Sequence, residues 1–512
     1  MTSSPTSGRP DRGSHDLRIG TVFVNAARAV PQRTAAVLGD EALTFDQLNR
    51  RANQVAAVLV GRSMGCGDRL VTWSATALEL VPVFAAAAKL GVVFAPTNAS
   101  LSIDEAMAVI EPARPSMVVV DDERRADGVK LAERLGSQLL SLSELTLLAD
   151  AQVSDEPDRP QPTEHDAHVI FFTSGSTGRP KGAVLTHRVN FLRTHPGALL
   201  EHRGPMVCPF PLFHMGAWTI ALQQWQGRDA VILLASADAA SICNAVVANK
   251  AERLNCIPAV WRRMLDYLGT PVGRDLDLSS VRFADTGTSA TPLELLAAIE
   301  EALPSACVRV FYGSTEAGSV ASLDHHEVDR KPGSCGVPAP SCQVRIAPDG
   351  ELLVRGPLVF DGYFEDEEAT SAALVDGWYR TGDLAQVDED GYLSIVGRAK
   401  DVVRTGGESV TPTEVEAVLA EHPAIEDVAI VGMPDTRWGE IICAVVVSRP
   451  GHATPTVDEL RAHCGTRLAP FKHPRRVAAV DAIPRTPSTQ QVQRRLLVER
   501  LTTGPPGPTP PN

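Results

Sequence analysis

The sequence predicts an α/β fold: a large N-terminal domain of layered, mostly parallel sheets with a small antiparallel β-barrel-like part, followed by a small α+β domain. Three textures carry this expectation. From about residue 17 to 395, Ala- and Leu-rich helical patterns alternate with short apolar runs such as 117–120, 230–233 and 308–311, the signature of helices laid on parallel strands. Between 347 and 396, apolar and polar residues alternate around glycine turns, as in Gly350-Glu351-Leu352-Leu353-Val354-Arg355-Gly356, which suggests antiparallel strands. Beyond Gly397 a separate pattern predicts a helix over 412–422, strands over 428–431 and 441–447, and a helix over 457–468, enough for an independent small domain.

In chain order, residues 1–16 read as a disordered polar tail without the apolar segment of a secretory signal. Residues 17–397 form the large domain, 398–500 the small lid-like domain, and the Gly/Pro-rich 501–512 a second disordered tail. At 512 residues the chain exceeds what one compact core accommodates. The longest apolar stretch, 81–96, is broken by Lys89 and Gly91 and is shorter than the ~20 residues a membrane span requires, so it reads as a core helix followed by a strand. A net charge of -14 argues against nucleic acid as a partner. The nine cysteines are an odd number scattered without a Cys-x-x-Cys pair, which fits reduced thiols of a cytoplasmic protein and predicts no structural metal. Composition leaves a homodimer open.

The most informative segment is Phe171-Phe172-Thr173-Ser174-Gly175-Ser176-Thr177-Gly178-Arg179-Pro180-Lys181-Gly182-Ala183. The hydroxyls of Thr173, Ser174, Ser176 and Thr177, the backbone freedom of Gly175, Gly178 and Gly182, and the charge of Lys181 suit a polyphosphate cradle at the end of the apolar strand 167–172. It is not a Walker A loop, because Pro180 precedes Lys181 and Gly182 follows it. Farther on, Tyr312-Gly313-Ser314-Thr315-Glu316 follows the strand 308–311 and offers hard oxygen ligands for Mg²⁺ held against phosphates. Trp378-Tyr379-Arg380-Thr381-Gly382-Asp383 places one carboxylate after a turn, an acceptor for two ribose hydroxyls.

Together with Gly397-Arg398-Ala399-Lys400-Asp401 and Thr405-Gly406-Gly407-Glu408, these segments resemble, in order and spacing, the adenylate-forming superfamily of acyl-CoA synthetases, luciferases and nonribosomal adenylation domains. The resemblance covers roughly residues 20 to 500. It implies that Thr173, Ser174, Gly175, Ser176, Thr177, Gly178 and Lys181 close over the β- and γ-phosphates of ATP. It further implies that Thr315 and Glu316 hold the α-phosphate and Mg²⁺, with Thr173 a second metal contact. Asp383 would bind the ribose, Arg398 would support the same nucleotide, and Lys400 would be the hinge of the mobile small domain. Thr286-Gly287-Thr288 and Val310-Phe311-Tyr312-Gly313-Ser314 would flank adenine and border the acyl pocket. The implied reaction forms an acyl-adenylate from a carboxylate and MgATP, then turns the small domain so that a thiol displaces AMP.

Amino-acid-activating relatives carry an early pocket Asp, where this chain reads Pro211-Leu212-Phe213-His214-Met215-Gly216-Ala217-Trp218. An acid lacking an α-amino group is therefore favoured, with His214 near the acyl-phosphate, and the wording is that of the acyl-CoA synthetase, or fatty-acid–CoA ligase, branch. No carrier domain follows in the sequence, which favours free coenzyme A as acceptor, with Gly406, Gly407 and Glu408 along the pantetheine path. Two departures stand out. Thr288 replaces a glycine and is expected to narrow the acyl pocket. The C-terminal lysine that bridges carboxylate and α-phosphate in relatives is missing, and Gln490 or Gln491 takes its place, with Arg494 or Lys472 as surrogate cations. A missing cation at a developing anion costs ~3–4 kcal/mol by analogy with an oxyanion donor. Three readings follow: an acyl-CoA synthetase, a degenerate nucleotide- or acyl-binding homologue, and an acyl-AMP ligase that loads a separate carrier protein.

Overall fold

The computed structural model describes residues 16–174, 180–197, 202–465, 467–486 and 491–503. Two large sheets form the N-terminal part. One runs, edge to edge, Val337–Pro338, Gly318–Leu323, Cys307–Ser314, Phe283–Gly287, Arg253–Cys256, Met206–Cys208, Val231–Leu233, Thr34–Leu38 and Glu41–Thr44. The other runs Gly362–Tyr363, Pro180–Thr186, Ala167–Ser174, Val93–Thr97, Arg69–Trp73, Met117–Val120 and Gln138–Ser141. Their interiors pair in parallel, as the alternating sequence texture predicts; three of their four edges are antiparallel, and Gln138–Ser141 at the fourth is parallel.

Helices between the sheets fuse them into one core. All of Leu80–Leu90 is buried, and its run Ala85-Ala86-Ala87-Ala88 allows close approach on several sides. A Cβ on Gly20 would come within 3.0 Å of Lys89 Cα, so the helix Gly20–Ala29 packs there backbone to backbone. Phe84 stacks on Trp218 of the helix Met215–Gln226 at 4.2 Å and meets Phe94 edge-on at 5.3 Å, while Trp225 bonds Ala35 O, so the aromatic cluster bridges both sheets. Lys89 is the one charge in that helix. Its ammonium bonds Asn53 at 2.5 Å, Asn49 at 2.7 Å and Glu156 at 2.9 Å, which satisfies all three donors.

The region of alternating sequence forms a third, antiparallel sheet of Gln343–Ile346, Glu351–Arg355, Trp378–Val387, Leu374–Val375 and Leu393–Arg398, and its Leu352, Val354 and Tyr379 join the same core. From residue 403 on, the sheet of Glu408–Val410, Val403–Thr405, Gly439–Ser448, Ile425–Asp435 and Arg476–Ala479 has its own cores on its two faces, one around Val415 and Leu460 and one around Ile483 and Leu497. The helices described here are Pro412–Leu419, Val457–Cys464 and Arg494–Thr503, the first two shorter than the sequence pattern predicts, the second because Gly465 at φ +47° ends it. No helix among the described residues is long and apolar enough to cross a membrane.

Two buried histidines tie the start of the chain to this frame. Ile19 N–H donates to His187 Nδ1 at 3.3 Å, and the His187 and His168 rings lie 4.7 Å apart with both Nε2 atoms unpartnered. Burial pushes His187 down to about 4 and His168 well below its ordinary value. Between pH 6.5 and about 4 the unfolded chain therefore binds protons that the folded chain refuses, and stability falls as pH falls. For His187 alone the loss is on the order of 3 kcal/mol. Urea midpoints at pH 7 and pH 4.5 should show a smaller drop for His187→Gln than for the unaltered protein, and an equal drop would contradict this assignment.

Candidate active site

Two hairpins, one from each large sheet, meet here. The strand Ala167–Ser174 turns back antiparallel into Pro180–Thr186, with Thr173 opposite Lys181 and Ser174 opposite Pro180. The strands flanking the phosphate-cradle segment thus pair antiparallel, unlike the strand-to-helix connection that open parallel sheets use, and Gly175, Ser176, Thr177, Gly178 and Arg179 lie outside the described residues. The second tip is Thr315-Glu316-Ala317, between Cys307–Ser314 and Gly318–Leu323. The strand runs through Tyr312 and Gly313 to Ser314, farther than the sequence suggests, and Ser314 Oγ accepts from Ala317 N–H at 3.0 Å to hold the turn.

Glu316, 9% exposed, is the junction. Its Oε1 accepts from Tyr363 O–H at 3.2 Å and from Thr173 O–H at 3.5 Å, the long limit of a hydrogen bond. Tyr363 sits in the short strand Gly362–Tyr363, which pairs with Pro180–Thr186, and Lys181 Nζ lies 5.0 Å from its ring centroid. Burial, then the Glu316 charge, raises the Tyr363 phenol, so it stays a donor.

Behind the tip lies Arg193, which no local motif announces. It comes from the last turn of the helix His187–Thr194, which leaves the first hairpin directly through Thr186, whose hydroxyl caps Val189 N–H. Its guanidinium donates to Leu358 O at 2.7 Å, Thr315 O at 2.8 Å and Glu316 O at 2.9 Å. Burial pushes it down to about 10, against the pull of Glu316, so it stays charged at neutral pH. Gly318, at φ +72°, passes so close that a Cβ would stand 2.9 Å from Arg193 Nε.

A second cluster forms around Asp383. Tyr312 O–H donates to Asp383 Oδ2 at 2.6 Å, and Arg398 Nε lies 2.7 Å from Oδ1. Asp383 does not follow a turn as the sequence suggests. It lies inside the strand Trp378–Val387, at an irregularity where Gly382 takes φ +72°, its N–H bonded to Glu351 Oε1 at 2.8 Å while Thr381 Oγ1 accepts from Asp383 N–H at 3.0 Å. Burial raises the Asp383 carboxyl, opposed by Arg398 and then Tyr312.

His214 caps the helix Met215–Gln226. Its Nδ1 accepts from Gly216 N–H at 3.0 Å and its ring stacks on Phe210 at 5.4 Å, so the proton of the neutral ring is on Nε2. Burial pushes it down to about 4, and it is neutral throughout the physiological range. Gly287 ends the strand Phe283–Gly287, where a Cβ would stand 2.4 Å from Phe311 O, so only glycine fits. Exposed Thr288 follows at φ +67°, a left-handed conformation that a β-branched residue adopts under strain.

The remaining sequence-singled residues lie apart from these clusters. Lys400 is exposed in the turn Ala399–Asp401, where the third sheet hands over to the C-terminal one. Gly406 and Gly407, at φ +61° and +88°, and Glu408 form an exposed tip beside Trp438, over which Arg475 stacks at 4.0 Å. A Cβ on Gly406 would meet the Trp438 ring at 2.7 Å. Gln491 is exposed, with its N–H bonded to Thr486 Oγ1 at 3.0 Å, and no hydrogen bond among the described residues joins it to Thr173, Lys181 or Glu316; Gln490 lies outside them. Both alternative cations are engaged, Lys472 with Glu414 and Arg494 with Asp401 at 3.1 Å and Glu416 at 2.6 Å.

One buried carboxylate with neighbouring hydroxyls suits Mg²⁺ carried in on phosphates, because Mg²⁺ takes oxygen ligands and keeps most of its shell from substrate and water. No group of three or more His, Cys, Asp or Glu that could hold a metal by itself occurs among the described residues.

Residues 23–364 match the family model described as AMP-binding enzyme, and 414–490 the model of the AMP-binding enzyme C-terminal domain. The chain is 34% identical over 500 residues to a feruloyl-CoA synthase of Amycolatopsis sp, covering 93% of this chain and 99% of that one. It is 30% identical over 506 residues to a long-chain-fatty-acid–CoA ligase of Mycobacterium tuberculosis, covering 94% and 98%. Among solved structures it superposes on the o-succinylbenzoate CoA synthetase of Bacillus subtilis in complex with its acyl-adenylate intermediate, with TM-score 0.82, 25% identity, and coverage of 93% and 97%.

The strain at Thr288 is testable. A left-handed β-branched residue costs of order 1–3 kcal/mol, of which glycine's added freedom in the unfolded chain takes back about 0.5–1. Thr288→Gly is expected to raise unfolding stability by about 1 kcal/mol in urea titration. A less stable variant would show that the backbone at 288 is not strained.

Proposed function

The chain belongs to the AMP-binding enzyme family, in its acyl-CoA synthetase branch, and from that premise we propose how its own residues divide the work. The reaction is an AMP-forming acid–thiol ligation using ATP, Mg²⁺ and coenzyme A. A carboxylate oxygen attacks the α-phosphorus, the bond to pyrophosphate breaks, and an acyl-adenylate remains. The thiol sulfur then attacks the acyl carbon and AMP departs. Magnesium, when bound, neutralises charge on the phosphoryl oxygens.

In our reading the Thr173–Lys181 hairpin encloses the β- and γ-phosphates, with Thr173 and Glu316 on the metal side and Lys181 supplying charge. Thr315, at the tip braced by Arg193, turns its polar groups to the α-phosphate. Asp383, oriented by Tyr312 and Arg398, accepts from the ribose hydroxyls, and the burial around it strengthens those bonds. Gly287 and Gly313 let strand backbones approach a flat adenine ring. Neutral His214, with its proton on Nε2, donates to the acyl oxygen without adding charge. Gly287, Thr288 and Phe311 border the acyl chain, and the acid carries no α-amino group, since no carboxylate stands in the segment 211–218.

We also propose a division into a body of 17–397 and a lid of 398–500, with Lys400 at the hinge and Gly406, Gly407 and Glu408 turned toward pantetheine after rotation. Separate cores on either side of residue 400 support this reading. The nine free thiols support a cytoplasmic location.

The single observation that carries the assignment is the convergence of Thr173, Tyr363 and Glu316 at the meeting point of two hairpins, the first of them the Gly/Ser/Thr/Lys cradle. Purified protein with ATP, Mg²⁺, coenzyme A and a panel of aryl, fatty and branched carboxylates should release AMP and yield a CoA ester by mass spectrometry. AMP release that does not require free coenzyme A would overturn the acceptor. Gln491→Lys should accelerate acid-dependent pyrophosphate release without coenzyme A by ~10-fold or more, because a full cation reaches the developing charge. An unchanged rate would show that the glutamine is not at the adenylation centre.

A further inference from the structure

Side chains two residues apart on a strand point to one face. The register therefore lines up Gly287 with Phe311, then Asp285 with Arg309 and Asn255, then Phe283 with Arg253, along a single face of the nine-stranded sheet. The opposite face, with Leu254, Cys256, Ala284 and Val308, is apolar and buried. The first face instead carries ions. Arg309 grips Asp285 through bonds of 2.8 and 3.0 Å, and the guanidiniums of Arg309 and Arg253 lie 4.8 and 3.9 Å from the Phe283 ring. Arg253 donates to Arg203 O at 2.9 Å, and Arg203 Nε reaches Gln224 Oε1 at 3.4 Å.

That last contact orients the cluster. Gln224 is near the C-terminal end of the helix Met215–Gln226, whose N-cap is His214. The same helix thus runs from the acyl-phosphate end of the proposed pocket to the arginines. From Gly287 to the Asp285 and Phe283 levels is about 7 to 13 Å of strand. Of the three guanidiniums only Arg309 has an ion pair, with Asp285; among the described residues Arg253 and Arg203 form none, and the nearby buried Asp229 is engaged by Arg33 and His202. Arg253 is pushed down to about 10 by burial and then by its two arginine neighbours. Two half-buried guanidiniums without an ion pair are costly unless an anion answers them.

We propose that Arg253, with Arg203 and Arg309, forms the far wall of the acyl groove and binds a second carboxylate on the substrate, so that the preferred acids are dicarboxylic. This inference rests on the acyl-CoA ligase reading. A guanidinium fork suits a carboxylate, whereas the methyl end of a fatty acid would desolvate the arginines without replacing their water.

The test compares matched acids, suberate against octanoate and adipate against hexanoate, by CoA-ester formation with the full-length protein. The diacids are expected to show kcat/KM at least 10-fold higher. Arg253→Met keeps the contact with Phe283 and removes the charge. It should lower the diacid-to-monoacid ratio at least 10-fold through KM, and Arg253→Lys should restore part of it, with unfolding midpoints confirming that both variants fold. Preference for the monoacids, or a ratio unmoved by Arg253→Met, overturns the proposal and leaves the ligase reading intact. Absence of any CoA ester in both series overturns the proposal, while the ligase reading falls only if the wider panel of aryl, fatty and branched acids yields none as well.

Discussion

The site depends on one buried cation. Arg193 leaves the first hairpin through a short helix and bonds three main-chain carbonyls, two of them at the tip of the second hairpin, so the two sheets hold a fixed distance at the point where a nucleotide would lie. A buried arginine with its donors engaged by neutral carbonyls retains its charge, and Glu316 beside it supplies the opposite sign. That carboxylate is then aimed by Tyr363 and Thr173, one side chain from each strand flanking Pro180–Thr186. Geometry, charge and hairpin order are one arrangement, so the loss of any part disturbs the rest.

The sheets explain why such a junction exists. Parallel interiors bury both faces under helices and leave little room for polar groups, whereas an antiparallel pair reverses in a turn whose polar groups a side chain such as Arg193 can hold. Both tips are at antiparallel edges, and the aromatic cluster around Phe84, Trp218 and Trp225 sets how the two sheets lie. The Asp383 cluster follows the same logic in the third sheet: an irregular strand at Gly382 turns Asp383 toward Tyr312 of the neighbouring sheet. Chemistry thus collects where regular ladders are interrupted.

Much of this was legible in the residues. The cradle, Glu316, Asp383 and Arg398 are short polar motifs within apolar patterns, and polar groups in such positions need a purpose. The parallel interior, the antiparallel insert and the C-terminal α+β pattern were likewise readable from periodicity. Arg193 and Tyr363 were not, because a single arginine at the end of an ordinary helix and a tyrosine in a two-residue strand acquire meaning only through partners more than a hundred residues away or across a sheet. Helix and strand limits failed for local reasons: the strand around Asp383 continues through a glycine that reads as a turn, and the hairpin nature of the cradle depends on a return strand beginning with Pro180. The engagement of Arg494 by Asp401 and Glu416 was equally invisible, since it joins the helix Arg494–Thr503 to the turn Ala399–Asp401 and to the helix Pro412–Leu419 across 93 and 78 positions.

Arg193 is thus expected to hold the two hairpins in register for a nucleotide. Calorimetric titration of MgATP into the unaltered protein and into Arg193→Met, with circular dichroism and unfolding midpoints confirming the fold of both, tests it directly. Measurable binding by the first and affinity at least 10-fold weaker in the second are expected. Equal affinity in a folded Arg193→Met protein would contradict it.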